Sequence, residues 1–160
     1  MKKTLALLLI LIMSLAVLTG CTTNTVFDDL EKYLNVEMKE INENYGKITN
    51  EVSTWETIED DATLAKSIIG TLLPLVDDSL EKLENVKPKT EEVKALKEKY
   101  IKVMDSYKVG FEALYEGCST QDEETIERGN ENLERGIELL DEYNTALEEL
   151  AKEVGAEIEY

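Results

Sequence analysis

A chain of 160 residues with 35 Asp and Glu against 17 Lys and Arg carries a formal charge of −18, and it contains no histidine. Such a surface repels nucleic-acid phosphates, and without histidine no Ser-His-Asp triad, Cys-His pair or Glu-x-x-His iron site can be assembled. Eight Gly and two Pro argue against a disordered linker or an all-β fold, and the helical stripes below make an all-α domain the expectation.

The chain opens with Lys2 and Lys3, and from Thr4 to Leu18 it is apolar except for Ser14. Thr19 and Gly20 then supply small residues. Basic start, apolar run and small-residue site are the order of a secretory signal. The run is about 15 residues, short of the ~20 that a spanning helix needs. It ends on Leu18-Thr19-Gly20-Cys21.

Those four residues, in that setting, resemble the lipobox of bacterial lipoproteins: an aliphatic residue, a small residue, Gly or Ala, then Cys. The resemblance implies cleavage between Gly20 and Cys21, a diacylglyceryl group on the Cys21 thiol, and a new amine open to acylation. Two or three acyl chains make a stable anchor, because each buried methylene contributes ~0.8 kcal/mol and one chain alone is marginal. An ordinary signal peptide or an uncleaved N-terminal anchor is the alternative. On the lipobox reading residues 1–20 are removed, 21–25 form a short tether, and 26–160 form one domain on the extracytoplasmic face of a membrane. Past residue 20 the chain carries 15 basic residues against the same 35 acidic ones, since only Lys2 and Lys3 are lost.

Within that domain a three-and-four rhythm runs through Phe27, Leu30, Leu34, Met38, Ile41, Tyr45, Ile48, Val52 and Trp55, a helical stripe. The rhythm continues through Ile58, Ala62, Ala65, Ile69, Leu72, Val76, Leu80 and Leu83. One helix from 26 to 86 would be ~90 Å long, too long for this domain, so it must turn. Ser53-Thr-Trp-Glu56 reads as a capping box and Thr57–Asp61 as a further cap candidate, which places the turn near 53–61. Gly70 and Pro74 offer a rival break; Pro74 is read instead as a kink.

Pro88 marks the next loop, and Thr90 ahead of Glu91 and Glu92 reads as an N-cap. A third helix follows with Val93, Leu96, Tyr100, Val103, Tyr107, Phe111 and Leu114 on one face. Gly117 is expected to end it, with Thr120 to Glu123 capping the last helix. That helix repeats at sevens through Ile126, Leu133, Leu140, Leu147 and Val154. The expected architecture is an antiparallel up-down bundle of three or four long helices with coiled-coil-like heptads. Stretches such as VKPKTEEVKALKEKYI and LLDEYNTALEEL resemble small Lys/Glu-rich helical lipoproteins of Gram-positive bacteria. Gly129 and Gly136, seven apart, either admit a neighbouring helix or are tolerated surface glycines.

Candidate functional residues are few. Carboxylate pairs are abundant enough to be coincidence, and no metal, cofactor or enzymatic activity is expected. Seven lysines cluster between residues 87 and 108: Lys87, Lys89, Lys94, Lys97, Lys99, Lys102 and Lys108. Charge pairing with acidic neighbours explains them, and a dock for an acidic partner or lipid headgroups is the functional alternative. Cys118 is expected in an exposed turn as a free thiol. Tyr115 and Tyr160 fall off the stripes as contact candidates, and Asn130 and Asn144 are polar interruptions that would suit a pocket. The expected function is a lipid-anchored, non-enzymatic binding or scaffold module for an envelope protein or wall component. A carrier or sensor with a ligand or cation pocket between helices is the alternative.

Overall fold

The structure, a computed structural model, describes residues 25–58 and 60–158, so the lipobox, Cys21 and Tyr160 lie outside the described residues. Every regular element among those residues is helical. The order is α1 (Thr25–Lys32), a π-helical turn (Tyr33–Glu37), α2 (Lys39–Ser53), a 3-10 turn (Thr54–Thr57), α3 (Asp61–Ser67), a second π turn (Ile68–Leu72), α4 (Leu73–Asn85), α5 (Glu91–Thr120) and α6 (Glu123–Val154). These pieces join into four rods, 25–57, 61–85, 91–120 and 123–154.

Contacts fix the up-down order. Along the first two rods Asn44 meets Asp78 and Ser79, while Glu51 meets Ser67, so they run antiparallel. Lys97 reaches the Val86 carbonyl and Lys108 reaches Asp77, so α5 runs against α4. Gly117 faces Ile126 and Gly136 faces Tyr107, so α6 returns along α5. One end of the bundle therefore holds residue 25, the 86–90 loop and residue 154. Ile58, Asp60 and the 121–122 turn lie at the other.

The turn falls where the capping signals cluster, and within the Thr57–Asp61 candidate it is Asp60 that caps. Ser53 stays helical and its hydroxyl donates back to the Asn50 carbonyl, so the Ser53–Glu56 box does not form. Ile58 is extended, and the Asp60 carboxylate accepts from the Thr63 N–H at 2.8 Å, capping α3. Pro74 does not end its helix. It sits in the first turn of α4, directly after a π turn in which Leu73 donates to Ile68 five residues back. Widening there loosens the ladder where proline has no N–H to give.

The same π turn shifts the apolar register. Ile68 is fully buried, and Ile69, a member of the expected stripe, is 50 % exposed. Around this defect the core is continuous. All seven stripe residues of α5 are buried, each large aliphatic or aromatic side chain contributing about 1.5–3 kcal/mol. Trp55 meets Phe111 edge-on at 5.9 Å between ring centroids, and Tyr100 meets Tyr143 at 5.0 Å.

The junction between α5 and α6 departs from expectation. Gly117 does not terminate α5, which runs on to Thr120 and closes on Gln121 in the left-handed conformation (φ 57°). Asp122, not Thr120, stands at the N-cap of α6, its carboxylate accepting from the Thr125 hydroxyl at 2.5 Å. Gly117 is instead part of the packing. A Cβ there would fall 2.6 Å from Ile126 Cγ1 and 2.8 Å from the Ile126 nitrogen. Gly129 would clash with Leu114, Gly136 with the Tyr107 ring and Gly110 with Leu133. Two glycine pairs, each seven residues apart, thus bring α5 and α6 into close approach, and Gly129 and Gly136 are not surface glycines. The Ser106 hydroxyl bonds the Asn132 carbonyl across this seam at 2.9 Å.

Candidate functional site

At the end nearest residue 25, α1 is tied to the start of α5. The Asp29 side chain, 5 % exposed, points from α1 into the 86–90 loop. Its Oδ2 accepts from the Lys89 N–H, the Thr90 N–H and the Thr90 hydroxyl, each at 2.8 Å. Thr90 therefore occupies the N-cap position without capping with its own side chain. A carboxylate 61 residues earlier serves the start of α5, where the helix dipole favours negative charge. Burial pushes the Asp29 carboxyl up, but the hydrogen bonds from Thr90 and Lys89 outweigh it and hold it below the usual aspartate range.

The lysine cluster straddles this end and is largely engaged. Lys94 pairs with Glu91 at 2.6 Å, and Lys108, farther along α5, with Asp77 at 2.6 Å. Lys87 donates to the Glu84 carbonyl, and Lys97 to the Val86 carbonyl at 2.9 Å. Burial and the neighbouring charge of Lys87 lower the Lys97 ammonium. Lys89 is exposed beside Pro88, its backbone bonded to Asp29. Local contacts account for Lys87, Lys94 and Lys97: one exposed ion pair and two bonds to backbone carbonyls.

Cys118 is not in an exposed turn. It lies inside α5, buried, its thiol pushed up by burial and then by the charge of Asp61. It forms part of the floor of a groove of about 570 Å³ between α3 and the last turns of α5. Tyr115, read as a contact candidate, lines the same groove, as do Ala62, Ala65 and Ile69. This groove sits at the end of the bundle remote from Asp29.

The polar interruptions divide. Asn130 is exposed, whereas Asn144 is half-buried and its Oδ1 has no hydrogen-bond partner. The hydroxyls of Tyr33, Tyr45, Tyr107 and Tyr143 are buried without well-formed bonds among the described residues as well. Tyr33 approaches Tyr143, and Tyr45 approaches Tyr107, without closing a bond of good geometry. Burial, with neighbouring tyrosine charge, raises the Tyr33 and Tyr107 phenols far above their ordinary value, and burial does the same at Tyr143. The aromatic stripes signalled these rings as core; nothing in the sequence marked their hydroxyls as meeting in two pairs. Asn44 was likewise hidden, since it stands between the stripe residues Ile41 and Tyr45. It is buried and donates to Asp78 at 2.6 Å.

No helix among the described residues is long and apolar enough to cross a membrane. No curated protein and no solved structure matches the chain. A family model described as uncharacterised lipoprotein PM1805 matches residues 28–155, the bundle from the first turn of α1 to the glycine after α6. That match covers most of the chain, and the protein belongs to this lipoprotein family.

Proposed function

We propose that this protein is a non-enzymatic binding module, held by acyl chains on Cys21 against the extracytoplasmic face of a bacterial membrane. The observation that carries the reading is the pairing of Leu18-Thr19-Gly20-Cys21 with a bundle that belongs to a lipoprotein family. Family membership supports a membrane-anchored place in the envelope. Three residues lie between Cys21 and Thr25, so the lipid stands within ~14 Å of the first turn of α1. Asp29 in turn holds the Lys87-Pro88-Lys89 loop beside α1, which keeps that loop on the membrane side, where anionic headgroups attract lysine. The groove above Cys118 then faces outward, toward an envelope protein or wall component.

Replacement of the anchoring thiol tests the anchor. In Cys21→Ser, mass analysis should find no acyl chains and fractionation should move the protein from membranes to the soluble pool. Membrane retention equal to the parent's, with residues 1–20 still present, would reject it.

A second reading, a small-ligand carrier, is favoured by one observation. Among the described residues the hydroxyls of Tyr33 and Tyr143, and those of Tyr45 and Tyr107, have no partner but each other at poor geometry, and the Asn144 carbonyl oxygen has none, whereas native interiors satisfy nearly all such groups. A small polar ligand bound among them would raise the melting temperature as its concentration rises. A screen of small hydroxylated and cationic compounds that leaves the melting temperature unmoved would count against this reading.

A further inference from the structure

The rod 61–85 begins with an anomaly. Helix α3 buries none of its residues, although Ala62, Ala65 and Ile69 continue an apolar stripe that is core elsewhere. Ile69 is 50 % exposed because the π turn at Ile68–Leu72 takes Ile68 inside in its place. Across from this uncovered face stand Tyr115 and Cys118 of α5, and the space between is the groove of about 570 Å³. The inward side of α3 is held, with Leu64 on the core and Ser67 bonded to Trp55 and Glu51, but its outward side lies uncovered beside a groove whose lining is half apolar and half polar.

Charge says what would cover it. Asp60 and Asp61 are exposed at one rim, and Glu112 lies on the same face of α5, one turn from Tyr115. Lys66 is the basic residue lining the groove. The whole chain adds a long-range field of net −18, which draws cations and repels a second copy of itself. We propose that the groove docks a basic amphipathic helical segment of an envelope protein. Its apolar side lies on Ala62, Ala65 and Ile69, and its Lys or Arg residues reach Asp60 and Asp61. This deepens the binding-module reading and rests on it. The groove's position at the end opposite Asp29 leaves it open when the tether end meets a membrane.

The sequence contains a single tryptophan, and it reports on this site. Trp55 donates from its indole N–H to the Ser67 hydroxyl of α3 at 3.0 Å and packs edge-on against Phe111 of α5. The lipidated full chain in neutral-lipid nanodiscs is titrated with a tryptophan-free leucine–lysine amphipathic peptide while Trp55 emission is followed. The expected result is a saturable change. Ile69→Asp and Ala62→Glu should each weaken binding at least tenfold, even though both add negative charge. Val109→Asp, on another exposed apolar position (48 % exposed), should leave it unchanged. If Ile69→Asp binds as tightly as the parent or tighter, plain charge attraction explains the effect and the proposal is overturned. Absence of a saturable change, or equal loss in Val109→Asp, overturns it too.

Photo-crosslinking on intact cells separates this proposal from the reading beneath it. With benzoylphenylalanine at Ile69 or at the exposed Glu131 of α6, capture at 69 through a basic segment of an envelope protein supports the groove. Capture at 131 alone leaves a binding module and removes the groove. Capture at neither removes both.

Discussion

In the α5–α6 hairpin two uninterrupted helices of 30 and 32 residues meet through glycines, whereas the two rods before it change pitch three times, at Tyr33–Glu37, Thr54–Thr57 and Ile68–Leu72. The hairpin buries its seam so closely that a methyl group cannot be added at Gly110, Gly117, Gly129 or Gly136 without something moving. In the first two rods a Cβ at Gly46 or Gly70 would meet nothing within 4 Å among the described residues. One half of the molecule is held by backbone approach and the other by side chains packed onto it. The irregular half carries both the outward side of α3 and the buried Asp29 clasp. Regular packing supplies the frame, and pitch changes supply the exposed surface.

Breaking the seam should produce the largest effect. In Gly129→Ala the new Cβ meets the Leu114 backbone nitrogen at 2.9 Å as well as its side chain, so no rotamer change relieves the contact. Overpacking should outweigh the helix propensity gained and cost about 2 kcal/mol, read as a fall of several degrees in melting temperature. A Gly129→Ala protein that melts at or above the parent temperature would show that the helices are not in close approach.

Asp29→Ala probes the link between the halves and should rank next. Removing the acceptor leaves two backbone N–H groups and a hydroxyl without their partner, a loss of about 2 kcal/mol in urea unfolding. Its pH dependence has a definite sign. Because folding lowers the Asp29 carboxyl, its contribution is complete above the ordinary value of 3.8 and disappears as pH falls below it. The parent should therefore lose stability in acid faster than Asp29→Ala. Parallel pH profiles would remove Asp29 from the account.

The smallest effect belongs to the open glycine. Gly46→Ala, in the middle of α2 with free space around it, should stabilise by about 0.5–1 kcal/mol through helix propensity alone. Destabilisation there would mean that the first rod is packed as tightly as the seam.

Much of this architecture is legible in side-chain periodicity. The α5 stripe from Val93 to Leu114 is wholly buried, and the turn after the first rod falls within 53–61, because heptad burial and backbone exhaustion act locally. What escapes are events that shift the count by one. The π turn exchanges Ile69 for Ile68, and a period of three and four has no signal for an inserted residue. Capping boxes at Ser53 and Thr120 fail because Asp60 and Asp122 stand closer to where the chain leaves the extended region. Gly110 and Gly117 carry the same spacing as Gly129 and Gly136, yet only a second helix in place shows what they face. Cys118 follows from that error: once Gly117 is read as a terminator, its neighbour is placed outside, whereas α5 continues through both. The Asp29 clasp joins residues 61 apart and has no local pattern to betray it.

The proposed orientation on the membrane joins the proposed anchor, the Asp29 clasp and the groove above Cys118. The lipidated chain carrying Cys118→Ala is labelled with a fluorophore at Lys89→Cys or at Gln121→Cys, opposite ends of the 30-residue α5, ~45 Å apart. A headgroup-borne quencher in the supporting vesicle should extinguish the label at 89 and spare the one at 121. Equal quenching at both sites, or stronger quenching at 121, would contradict a bundle standing on its tether end.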